Sequence, residues 1–187
     1  MAEKRKAGKK KAQPTLFRFY MGEPGRGFEG KLTTKGMTIK EEQRVVKRVK
    51  RIQKGTQDER KHLPLIQKHY QNDKLKKINE RDHIDFHDVE GKIGVEYRRK
   101  NIEYRRIEMP FVSLPKLKRA KQLYNEAGYN QVDIIHHYND GYYKMTLPKD
   151  VDTKKYDTML TKTGEFFGQY FDKQFWENID LDGKGSK

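Results

Sequence analysis

Residues 113–147 constrain the fold more than any other stretch of this chain. Ser113 stands where a helix cap would, Pro115 falls in the first turn, and Leu114, Leu117, Ala120, Leu123, Tyr124 and Ala127 recur at helical spacing before Gly128. Proline has no N–H to lose in a first turn, and glycine readily takes the left-handed conformation that closes a helix, so the two bracket one helix. Residues 131–138 then read as a β-branched strand, Asn139-Asp140-Gly141 as a tight turn, and Tyr142 to Leu147 as the returning strand, ended by Pro148. With a strand expected at 102–109, these segments make a strand–helix–strand–strand core over about 102–147, half of a split βαβ arrangement. The expected fold class is α+β: a small antiparallel sheet with that core, a covering C-terminal helix, cationic helices and a disordered basic N-terminal arm.

In the order of these elements, residues 102–147, and loosely to 176, resemble the peptidoglycan-binding SPOR domains. The segment from Leu117 to Gly128, the strand after it and Asn139-Asp140-Gly141-Tyr142-Tyr143 are similar to that family's helix, strand and Gly-Tyr hairpin. The resemblance implies an α+β fold. It does not extend to the family's function, which usually comes with a membrane anchor or export signal.

The remaining segments read more loosely. Leu16 to Met21 is of strand length, Gly22 to Gly27 supplies a turn, and Phe28 to Lys35 returns as a partner strand. Thr38 and Glu41 have capping-box spacing, and Val45, Val46, Val49 and Ile52 follow as an apolar stripe that Gly55 ends. Thr56 and Glu59 repeat the box, but Pro64 moves the expected start of a second helix to about Leu63. His83 to Val89 alternates as a strand would. The words Glu96-Tyr97-Arg98-Arg99 and Glu103-Tyr104-Arg105-Arg106 suit two strands joined by a hairpin at Lys100-Asn101. From Thr153 a further helix is expected, carrying six aromatics between Phe166 and Trp176. The expected division is a disordered arm at 1–14, a basic hairpin with a helical segment at 15–80, an α+β domain at 81–179 and a polar tail at 180–187.

Composition bounds the function. The chain has 42 Lys and Arg against 27 Asp and Glu, a formal +15, yet from Asn139 onward the two signs nearly balance. A field so strong and localised favours polyphosphate partners, because each phosphate neutralised releases condensed counterions. Hydrophobic residues make up 33% of the chain and charged ones 37%, so the core is modest; aromatics at 11% argue against global disorder. Without cysteine there are no disulfides, thiolate metal sites or cysteine nucleophiles. The sequence contains no apolar run of membrane-spanning length and no secretory leader, so the expected location is the cytoplasm or a virion.

Three groups of basic residues are candidates for nucleic-acid binding. The first is the arm, with Lys4, Arg5, Lys6, Lys9, Lys10 and Lys11. The second is the 41–54 helix, where Arg44, Lys47, Arg48, Lys50, Arg51 and Lys54 surround the Val/Ile stripe and can lie along phosphates. The third interleaves rings with cations, as single-stranded nucleic acid favours: Tyr97, Arg98, Arg99, Tyr104, Arg105 and Arg106. Phe166, Phe167, Tyr170, Phe171, Phe175 and Trp176 divide between core and a protein interface. His83, Asp85 and His87 form the one metal-like cluster, and Glu90-Gly91-Lys92 behind them gives the acid-then-Glu-x-Lys order of metal-dependent nucleases.

The expectation is a non-catalytic protein that binds RNA or DNA largely without regard to sequence, as an adaptor to protein subunits of a ribosome-like, phage or virus particle. No cofactor, metal, membrane or small-molecule substrate is expected. A metal-dependent nuclease at His83, Asp85, His87 and Glu90, and a purely structural interaction subunit, are the competing readings.

Overall fold

The computed structural model describes residues 16–21, 28–33, 38–79, 82–161 and 164–183. The arm, with Lys4 to Lys11, lies outside the described residues. The fold is mixed α+β, and the chain divides into two compact units, 1–57 and 58–187.

The first unit contains an antiparallel hairpin of β1 (Leu16–Met21) and β2 (Phe28–Thr33), with Leu16 opposite Thr33 and Met21 opposite Phe28. It also holds the start of α1 (Ile39–Tyr70), where the Thr38 N–H donates to the Glu41 carboxylate at 2.8 Å and the Glu41 N–H donates to Thr38 Oγ1 at 3.4 Å. This reciprocal box satisfies donors that the first turn of any helix leaves free.

Two helices were expected here, and one forms. Gly55 and Pro64 both lie inside α1. A helical glycine costs about 1 kcal/mol relative to alanine, and a proline gives up a backbone hydrogen bond. Tertiary burial offsets both in the second unit: Ile66 is fully buried, with Leu63, Leu65 and Tyr70 packed around its cluster.

The second unit is built on a five-stranded sheet of β3 (Phe86–Asp88), β4 (Ile93–Arg99), β6 (Gln131–Tyr138), β7 (Gly141–Thr146) and β10 (Glu177–Ile179), ordered β10-β7-β6-β4-β3. The sheet is mixed, not purely antiparallel, because β4 and β6 run parallel. Between them, β5 (Phe111–Ser113) and α2 (Leu114–Asn125) form the crossover that a parallel pair requires. Gly128, at φ +66°, lets the Tyr129 N–H reach back to the Leu123 carbonyl at 2.9 Å and close α2.

Alternation along the strands sorts two cores onto the two faces. Leu117, Ala120, Leu123 and Tyr124 of α2 cluster with Val132, Ile134, Tyr138, Met145 and Trp176. Ile66 of α1 clusters with Phe86, Val95, Tyr97, Ile135 and Tyr142. Asp133, fully buried on the α1 side, accepts from the Tyr70 hydroxyl, from Gln131 Nε2 at 2.7 Å and from Thr146 Oγ1 at 2.7 Å. A buried carboxylate so satisfied ties the end of α1 to the sheet.

Three further expectations are corrected. Residues 102–109 are not a strand: they contain a 3-10 turn, Tyr104–Arg106, and β4 pairs with β3 and β6 instead of folding back on them. The strand expected from His83 is confined to Phe86–Asp88. Among the described residues after 153 no α-helix forms to cover the sheet. That region forms β8 (Asp157–Thr161) and β9 (Gly164–Tyr170), which join β5 in a three-stranded antiparallel sheet, followed by a 3-10 turn at Lys173–Phe175 and β10. Glycine at 164 and 168 weakens a helix there, and at Gly168 the β5 backbone approaches so closely that a Cβ would collide with the Val112 carbonyl and the Phe111 ring. Leu181 is buried, so the folded chain continues beyond residue 179. Among the described residues no helix is long and apolar enough to cross a membrane.

Candidate functional site

The strongest concentration of buried charge lies where β4 ends, on the face covered by α2. Along β4, Val95 and Tyr97 turn to the α1 side, so Glu96 and Arg98 turn to the α2 side. The β3–β4 ladder pairs Phe86 with Val95, and one step further it places Asp85 beside Glu96. Asp85 accepts the Tyr97 N–H at 3.0 Å. Lys116, from the first turns of α2, is in contact with the Glu96 carboxylate, and Lys77 is in contact with Glu59 and lies 3.9 Å from Asp85. Five charges thus converge from α1, the 71–85 segment, β4 and α2.

Burial sets the electrostatics. It pushes the Asp85 carboxyl above the usual range, against the pull of Lys116, the Tyr97 N–H and Lys77. It draws the Lys116 ammonium down to about 8, while the Asp85 and Glu59 carboxylates hold it up. Desolvating this many charges is costly unless each is paired, and such concentrations recur where proteins handle ions or protons. At the outer edge of the network, Arg98 is exposed, and its charge helps to hold the Asp85 carboxyl down.

The metal-like cluster separates. His83 is exposed in a bend, whereas His87 is buried with Nε2 3.1 Å from the Ile84 carbonyl and Nδ1 3.1 Å from the Tyr129 hydroxyl. Glu90 lies in the β3–β4 turn, paired with Lys74 at 2.6 Å. Among the described residues no three His, Asp or Glu side chains converge to hold a metal ion. Asp82 is gripped by Arg119 through bonds of 2.9 and 2.7 Å; burial pushes its carboxyl up, but the Arg119 fork wins and holds it below the usual range.

The two Tyr-Arg-Arg words also divide. The Tyr97 ring is buried and stacked on His62 at 4.6 Å, and Tyr104 is buried and stacked on Tyr143 at 3.7 Å, so neither ring is open to a base. Arg99 lies against the His137 ring, and Arg105 and Arg106 both engage Glu103. On α1, Arg44, Lys47, Lys50 and Lys54 are exposed without an ion pair among the described residues; the side chains of Arg48 and Arg51 lie outside them. Of the aromatic group, Trp176 is buried and Phe171 partly so, both against the α2-side core. Phe166, Phe167, Tyr170 and Phe175 remain exposed, and Phe166 and Phe167 line an open groove with Leu114, Pro115 and Lys118.

Lys77 and Lys116 had no place in the sequence analysis, and Glu59 and Glu96 entered it only as a capping-box residue and as the start of a repeated word. The one available signal was that Glu96-Tyr97-Arg98 also follows an acid, Asp85, in the acid-x-base order assigned to Glu90-Gly91-Lys92; only the register of β3 against β4 distinguishes them.

No protein-family model, curated protein or solved structure matches this chain.

Proposed function

We propose that the protein binds RNA or DNA through phosphate contacts, largely without reading sequence, and serves as an adaptor within a larger nucleoprotein assembly. The observation that carries this reading is the row of exposed, unpaired cations on α1: Arg44, Lys47, Lys50 and Lys54. At 100° per residue they fall, with Arg48 and Arg51, within an arc of roughly 160°. Residues 43–54 contain no acid, and a face of one sign over that length suits a phosphate backbone. The exposed rings of Phe166, Phe167, Tyr170 and Phe175 supply an apolar patch for a protein partner, since aromatics are favoured at such contacts.

The test is a salt titration of oligonucleotide binding. Affinity should fall linearly on log–log axes, and an Arg44→Glu/Lys47→Glu double variant should reduce the slope by about 2. Affinity independent of salt would eliminate the reading.

One observation favours a second reading, metal-dependent phosphodiester hydrolysis: Asp85, the residue before β3, lies beside Glu96 of β4 next to exposed Arg98. Magnesium is commonly held by one or two carboxylates together with substrate phosphates, so a three-ligand protein cluster is not required. Lys116 and Lys77 would have to release the carboxylates to admit a cation. Cleavage of oligonucleotides with Mg²⁺ or Mn²⁺ that disappears in Asp85→Asn and Glu96→Gln would support it, and its absence in the wild type would remove it.

A further inference from the structure

We propose that Arg98, Lys100 and the indole N–H of Trp176 form a binding site for one phosphate group, on the α2-side face where β4 ends beside β6. The nucleic-acid reading supplies the identification of that phosphate as a backbone phosphodiester; the anion site stands on its own geometry.

The parallel register sets Arg98 beside His136, and the Lys100 N–H donates to the His137 carbonyl at 2.8 Å, carrying the ladder one residue past β4. Alternation therefore brings Arg98, Lys100 and His136 to one face. The Trp176 ring stacks on His136, with centroids 4.7 Å apart and planes at 26°. Both rings are buried.

Three donor groups lie around that His136 ring. Among the described residues, Trp176 Nε1 is the only buried side-chain nitrogen or oxygen without a hydrogen-bond partner. Buried N–H groups are almost always paired, and one that is not marks either strain or a missing acceptor. Lys100 has no carboxylate partner among the described residues; burial, reinforced by the Arg98 charge, draws its ammonium down to about 8. Arg98 is exposed; of the acids near it, Glu96 is engaged by Lys116, and Asp85, which feels the Arg98 charge, also feels Lys116 and Lys77.

His136 does not add a fourth charge. Burial comes first, then Lys100, Lys116 and Arg98, and together they hold it neutral, with its own Nδ1 3.1 Å from the Tyr138 hydroxyl. An orphan donor stacked on the ring that Lys100 and Arg98 also approach suits an anion with several acceptor oxygens. Phosphate fits, because guanidinium forks across two of its oxygens while ammonium and indole N–H can each take another. The position also agrees with the rule that ligands of open α/β sheets lie beyond the carboxyl ends of parallel strands.

Trp176 is the single tryptophan of the chain, so its emission reports on the site directly. Full-length protein is titrated with inorganic phosphate and, separately, with a short single-stranded oligonucleotide, at ionic strength held constant with sodium chloride. The expected result is a saturable change in tryptophan emission with both, weakened about tenfold in Lys100→Gln, the loss expected of one charged hydrogen bond. Arg98→Gln, at an exposed position, serves if Lys100→Gln does not fold. A response to phosphate without one to the oligonucleotide supports the anion site while denying its nucleic-acid source. Emission unchanged by inorganic phosphate, or a phosphate response undiminished in the variants, overturns the site and leaves the nucleic-acid reading standing.

Discussion

The two faces of the five-stranded sheet carry opposite chemistries at the same strand ends. On the α1 side, Tyr97 and His137 meet His62 and Tyr142 in a stack of rings, with the Tyr97 hydroxyl 2.8 Å from His137 Nδ1. On the α2 side, one residue away along each strand, Glu96, Arg98 and His136 sit among Asp85, Lys116 and Lys100. A period of two divides a single word, Glu96-Tyr97-Arg98-Arg99, so that its ring is spent on packing and its acid and first arginine face a charged edge. Ring and cation side by side in sequence are therefore poor evidence of a joint binding surface on a strand; the alternate residue is the better companion.

Removing one partner of the buried charge network should give the largest effect. Lys116→Ala leaves the Glu96 carboxylate, with a side chain only 3% accessible, without its cation. The expected loss is about 3–5 kcal/mol in urea unfolding, and a Lys116→Met/Glu96→Met pair should restore most of it. A small loss in the single variant would mean that water reaches Glu96 and that the two faces differ less than described.

The comparison is sharpened next by adjacent residues on β4. Tyr97→Ala, which opens the stack against His62, should cost about 3 kcal/mol of stability and leave the salt dependence of oligonucleotide binding unchanged. Arg98→Ala should change stability by no more than about 0.5 kcal/mol, as exposed positions do, while weakening phosphate binding. If Tyr97→Ala reduced binding without destabilising the fold, the ring would belong to the binding surface after all.

The parts that were legible in the sequence are those fixed by local chemistry. Thr38 and Glu41 form their box within one turn, and Pro115, Gly128 and Asn139-Asp140-Gly141 act on their own backbones, so α2, β6 and β7 follow from short segments. The illegible parts depend on remote partners. Phe167, Phe171 and Phe175 have helical spacing, but pairing of β9 with β5 and β8 places Phe167 on a strand and Phe175 in a 3-10 turn. Likewise, Glu59, Asp85, Glu96 and Lys116 are far apart in sequence and meet only through the register of β3 on β4 and the docking of both helices. Gly55 and Pro64 are real local breakers, overruled by burial further along the same helix.

The smallest expected effect is also the most local, because His136 and His137 are neighbours on opposite faces. His136 is held well below its ordinary value by burial and by Lys100, Lys116 and Arg98; His137 is drawn down to about 4 by burial, Arg99 and His62. Both are neutral in the folded protein at pH values where the unfolded chain, with histidine near 6.5, has begun to bind protons. The unfolded state thus binds more protons as pH falls through that window, so stability should decline from about pH 6.5 toward about 4. A phosphate between Arg98 and Lys100 neutralises two of the cations near His136 and none of the groups near His137. In NMR titrations of the ring signals, added phosphate should therefore raise the His136 pKa and leave His137 at about 4. Equal movement of both would indicate general screening by salt, and movement of His137 alone would place the anion on the wrong face of the sheet.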